Sequence, residues 1–144
     1  MSKADEACKC FDEGFNCAQA VLSTYSEQFG LDKKTALKVS CGFGAGMGRM
    51  GETCGAVAGA YLLIGLMYGK CDKDDNPAKE KTYALVQEFS KRFKQRNQST
   101  ICRELIKVDL LSGDRQTIDA QVKTVCPKMV RDACEIVEEL LYSE

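Results

Sequence analysis

Nine cysteines and no histidine among 144 residues set the chemistry open to this chain. Without histidine there is no Ser-His-Asp triad, no Cys-His nucleophile pair and no histidine-held zinc or haem. A metal here would be held by sulfur, carboxylate or backbone. Four cysteines fall at predicted helix starts: Cys17 after Asn16, Cys54 after Thr53, Cys102 in the first turn after Thr100, and Cys126 before Pro127. Unpaired N–H groups and the positive dipole end favour thiolate there, which raises nucleophilicity and metal affinity. Cys41 opens a glycine run. Cys8 and Cys134 sit on apolar helix faces, where cysteine acts as a small hydrophobe. Cys10 lies near the terminus, and Cys71 sits as a spectator in a charged turn.

The spacing excludes the compact modules. No Cys-x-x-Cys occurs, and the closest pair is Cys8-Lys9-Cys10, so neither a zinc ribbon nor a thioredoxin-type dithiol is written locally. A site would have to be assembled from distant cysteines by the fold. Residues 42–51 read GFGAGMGRMG. No regular helix tolerates that density of glycine, and a loop with positive φ is the physical reading. Gly42, Gly44, Gly46 and Gly48 in this loop, with Gly55 beyond it, could bring backbone N–H donors close to a cluster's sulfides or an anion.

Helical periodicity runs through the rest. A short helix over 3–13 carries Ala4, Ala7, Cys8 and Phe11 on one face and ends at Gly14. Asn16 and Gln19 form a capping box before the stripe Ala18, Val21, Leu22, Tyr25 and Phe29. Asp32 caps a third helix to about Cys41, and Thr53 a fourth to Gly69. That fourth segment holds 17 uncharged residues, close to the length of a membrane span. Gly55, Gly59 and Gly65 dilute it, so a central buried helix is expected and no membrane insertion. Gly55 and Gly59, one turn apart, would admit a close neighbour, either in the chain or in a second copy as a homo-oligomer. An amphipathic helix follows over about 79–96, a short one to about Lys107, another over 115–124, and a last helix with Pro127 in its first position. The expected fold is all-α: a single domain over 1–144, a compact bundle of six or seven helices with the glycine-rich loop before the buried central helix.

The string from Cys41 through GFGAGMGRMGET to Cys54-Gly-Ala-Val-Ala-Gly59 resembles the signature of a bacterial and archaeal redox-active family, named C_GCAxxG_C_C for its cysteine pattern. Residues 54–59 match a CGAxxG-like core. Asn16-Cys17-Ala-Gln-Ala-Val21 is similar to the family's early Cys-Ala-Gln segment, and Cys102 and Cys126 fit its two later cysteines. Relatives resembling split-Soret cytochromes join such a region to haem-binding sequence, which is missing here. The relation implies an electron-transfer context and an iron–sulfur cluster as the cysteine-held cofactor.

Three readings follow. The first is a cluster-binding electron-transfer protein with Cys41, Cys54, Cys102 and Cys126 as ligands and Cys17 in reserve. The second is a metal-free thiol oxidoreductase in which Cys54 pairs with Cys102 or Cys126. The third is a zinc-stapled or metal-free helical interaction module. Twenty basic and 21 acidic residues leave a net charge of −1, so no global field favours nucleic acid. The first residues lack the apolar stretch of a signal peptide, so a reducing, cytoplasmic setting is expected, in which cysteine serves metal or redox chemistry. The redox partner protein is not named by any motif.

Overall fold

The computed structural model describes residues 1–141. Among the described residues seven helices account for the architecture, 75% of the residues are helical, and there is no strand. They are α1 (Lys3–Asp12), α2 (Cys17–Ser26), α3 (Lys33–Ser40), α4 (Gly55–Tyr68), α5 (Asn76–Asn97), α6 (Cys102–Ile106) and α7 (Arg115–Leu141). The starts of α1, α2, α3 and α5 are capped by Ser2, Asn16, Asp32 and Asp75, whose side chains accept from otherwise unpaired N–H groups. Asn16 and Gln19 form the reciprocal box expected of them: Gln19 N–H donates to Asn16 Oδ1 at 3.0 Å, and Asn16 N–H to Gln19 Oε1 at 2.9 Å.

The central helix is α4. Its first six residues, Gly55 to Ala60, are all buried. The two glycines explain the close fit to α2. A Cβ on Gly59 would meet the Ala18 carbonyl oxygen at 2.9 Å, and one on Gly55 would meet Ala18 N at 3.2 Å. Thus the Gly55/Gly59 face is used within the chain. Phe89 and Phe93 of α5 are fully buried, with Tyr61 of α4 edge-on to Phe89.

Two expectations about boundaries are corrected. Thr53 does not cap α4; Cys54 occupies that place. Pro127 does not begin a helix either. It lies inside the continuous α7, so Cys126 is an interior residue rather than a cap. Proline in a helix interior costs about 3 kcal/mol through a lost hydrogen bond and a ring clash. The buried stripe of α7 runs past it on both sides, from Ile118 through Met129, Val130, Ala133, Ile136 and Val137 to Leu140. Burying side chains of this size contributes roughly 1.5–3 kcal/mol each, which outweighs the local break.

The glycine-rich segment is a loop with an unusual hand. Five successive residues, Ala45, Gly46, Met47, Gly48 and Arg49, have φ of 56°, 64°, 68°, 60° and 72°. Gly48 N–H donates to the Gly44 carbonyl at 2.9 Å, closing a left-handed turn. Left-handed backbone costs L-residues roughly 1–2 kcal/mol each, so Ala45, Met47 and Arg49 are held there by their surroundings.

Candidate functional site

Four cysteines line one cavity of about 620 Å³: Cys17, Cys54, Cys102 and Cys126. They come from four separate elements. Cys17 is the first residue of α2, fixed by the Asn16 box. Cys54 and Cys102 are placed by a single antiparallel bridge between Thr53 and Ile101. Its bonds run from Cys54 N–H to the Thr100 carbonyl at 2.8 Å and from Cys102 N–H to the Glu52 carbonyl at 2.6 Å. Side chains alternate across extended backbone, so Cys54 and Cys102 share the face opposite Thr53 and Ile101. Cys126 arrives from the middle of α7. All four are buried.

Cys41 stands elsewhere. It is exposed and does not line the cavity; its carbonyl accepts from Asn16 Nδ2 at 2.9 Å. Cys8, Cys10, Cys71 and Cys134 also lie outside the cavity lining. Cys10 packs on Ser23, and Cys8 donates to the Pro127 carbonyl at 3.7 Å.

Of the glycines singled out in the sequence, Gly46 and Gly55 line the cavity and Gly42, Gly44 and Gly48 do not. Gly46 is the tightest against the thiol wall. A Cβ there would lie 2.6 Å from Cys102 Cβ and 2.7 Å from Glu52 N. Gly55 faces the Cβ of Cys17 at 3.3 Å. Gly44 serves Asn16 instead, because a Cβ there would strike the Asn16 side chain.

Burial dominates the electrostatics of the thiol wall. It pushes the Cys54 thiol up to about 12, a rise partly offset by the N–H groups of Val57 and Ala56. It also pushes Cys102 up to about 11. The expectation that a helix start favours thiolate at Cys54 therefore fails: the dipole acts, but loss of water acts more strongly. Cys17 and Cys126 are a pair. The neighbouring Cys126 and burial together raise Cys17 well above the ordinary thiol value, while Cys17 lowers Cys126.

The donors share a cavity but do not meet at a point. Among the described residues no group of three or more Cys, Asp or Glu side chains is arranged to hold a metal ion. A cluster makes a different demand, since it spreads its thiolates around a core of several atoms. Four thiols around one enclosed space fit that demand in donor type and number.

The remaining wall was not legible as a site in the sequence. Phe11 and Phe15 come from α1 and the turn after it, Leu105, Ile106 and Leu110 from α6 and the following loop, and Val122 and Met129 from α7. The available signal was helical spacing: Val122, Cys126 and Met129 lie on one face of α7.

The described residues thus form an all-helical fold in which four buried cysteines line one cavity. The family model described as "Putative redox-active protein (C_GCAxxG_C_C)" matches residues 15–140, and the chain belongs to that family. No curated protein and no solved structure matches it. Among the described residues no helix is long and apolar enough to cross a membrane.

Proposed function

We propose that this chain is an electron-transfer protein that holds an iron–sulfur cluster between Cys17, Cys54, Cys102 and Cys126. The observation that carries the reading is the gathering of four buried thiols, from four elements far apart in sequence, around one cavity. When bound, such a cluster stores and releases single electrons. The chain's own part is to position the ligands and exclude water. The α2 capping box fixes Cys17, the 53/101 bridge fixes Cys54 and Cys102, and the packed middle of α7 fixes Cys126. Gly46 and Gly55 leave the ligand space free of side chains. The raised values of Cys54 and Cys102 mean that loading must release their protons, so it is favoured by alkaline pH.

Anaerobic reconstitution with iron and sulfide tests the reading. The wild-type chain is expected to take up both and to gain visible absorption. Cys54→Ser and Cys17→Ser should each fold but lose most of the iron, whereas Cys41→Ser and Cys71→Ser should retain it. Wild-type chain without iron, or loss at Cys41→Ser with retention at Cys17→Ser, would overturn the assignment.

That Cys17 and Cys126 line the same cavity and shift each other's protonation favours a second reading, a dithiol–disulfide couple. The Cys126 sulfur, the more thiolate-like of the two, would attack an external disulfide and expel one thiol. Cys17 would then resolve the mixed disulfide and expel the other, so that two thiols are oxidised and one disulfide is reduced. Peptide mapping after exposure to oxidised glutathione should find a Cys17–Cys126 bridge; its absence removes this reading.

A further inference from the structure

Four of the residues lining the cavity are thiols, and most of the other lining side chains are apolar. Helical periodicity places apolar side chains one turn from two of the thiols. On α7, Val122 and Met129 flank Cys126; on α6, Leu105 and Ile106 follow Cys102. Leu110 and Phe15 extend this surface. A volume of about 620 Å³ lies within the range of roughly 300–1,000 Å³ typical of sites that enclose an organic molecule.

The lining also fixes the chemistry of an occupant. The buried polar side chains are Ser23, Ser26, Ser40 and Asp132, and none of them lines the cavity. Asn16 reaches the wall, but its amide is engaged on both sides: Oδ1 accepts from Gln19 N–H and Nδ2 donates to the Cys41 carbonyl. The charged lining residues Asp12, Asp119 and Lys123 are all exposed, at the rim. A charged molecule inside would give up hydration that apolar side chains do not replace, a cost that burial of apolar surface does not offset.

Building on the cysteine site, we propose that the cavity beyond the four thiols is a binding chamber for a small, neutral, apolar organic molecule, seated against the redox centre. Its place in the fold puts the occupant in contact with the wall that carries Cys102 and Cys126, under the rim formed by α1 and α7.

The test uses N-phenyl-1-naphthylamine, a neutral fluorophore that brightens in apolar surroundings, on the full reduced chain. Saturation at one probe per chain is expected, with displacement by naphthalene and none by naphthalene-1,5-disulfonate. Val122→Trp and Leu105→Trp, which fill the chamber and remove no thiol, should each weaken binding at least tenfold. Both variants should take up iron as the wild type does, and the reconstituted wild type should still bind the probe. Absence of saturable binding, displacement by the disulfonate as readily as by naphthalene, unchanged affinity in both folded variants, or loss of the probe on reconstitution would each overturn the chamber. The measurements on the metal-free chain separate the two ideas: probe binding without iron uptake removes the cluster alone, and iron uptake without probe binding removes the chamber alone.

Discussion

At Gly46 two constraints meet. Its φ of +64° disfavours any side chain, and a Cβ would collide with the Cys102 Cβ and with the Glu52 backbone. The second neighbour is backbone held by a 2.8 Å bond from Glu52 N–H to the Gly46 carbonyl, so it cannot give way cheaply. Gly46→Ala is expected to destabilise the chain by about 2–4 kcal/mol, from backbone strain together with overpacking. Chemical denaturation gives the magnitude. The same variant should lose iron uptake in proportion to the displacement of Cys102, while Gly42→Ala, with nothing within 4 Å of its Cβ, should change neither.

Elements are tied together by charge as well as by apolar packing. Asp132 of α7 is buried and accepts from Arg96 Nη1 at 3.2 Å and Asn97 Nδ2 at 3.1 Å, both on α5, and from Lys128 Nζ at 2.7 Å. Arg96 also reaches Glu135 and Glu139. The network pins the end of α5 to the half of α7 beyond Pro127, where α7 has lost a backbone bond. Asp132→Ala leaves three donors short of one acceptor. Arg96 keeps its two other carboxylates, so the expected loss is about 1–3 kcal/mol. Thermal unfolding should show a lower midpoint for Asp132→Ala and little change for the exposed Lys91→Ala, which checks that the buried position matters.

For the whole molecule, pH acts through groups that folding keeps neutral. The Tyr25 hydroxyl is buried and donates to Glu138 Oε1 at 2.8 Å. Burial raises it well above the ordinary tyrosine value of 10.0, and burial also pushes Cys134 up to about 12 from 9.0. Folded values above unfolded ones mean that the native state binds more protons across the interval between them. The stabilising contribution is therefore complete below about pH 9 and falls as pH rises toward 12 through the Cys134 interval. Denaturant midpoints in the presence of reductant should decline between about pH 9 and 12. Tyr25→Phe and Cys134→Ala should each flatten the decline. A flat profile in the wild type would show that these groups are solvated in solution.

The helices, their caps and the class of chemistry were legible in the residues because they are local. Asn16 with Gln19 writes a capping box four residues long, Gly55 with Gly59 writes one close helix face, and the absence of histidine leaves sulfur, carboxylate or backbone to hold any metal. Three facts needed the assembled chain. The continuity of α7 through Pro127 depends on packing on both sides of the break. The seat of Cys17 on the cavity, and of Cys41 outside it, depends on where α2 docks on α4 rather than on either residue's neighbours. The protonated state of Cys54 depends on how much water the fold removes, which a helix start by itself does not reveal. Short-range hydrogen bonds act between residues a few positions apart, and sequence records them. Burial and convergence join residues as distant as Cys17 and Cys126, and only the tertiary structure decides them.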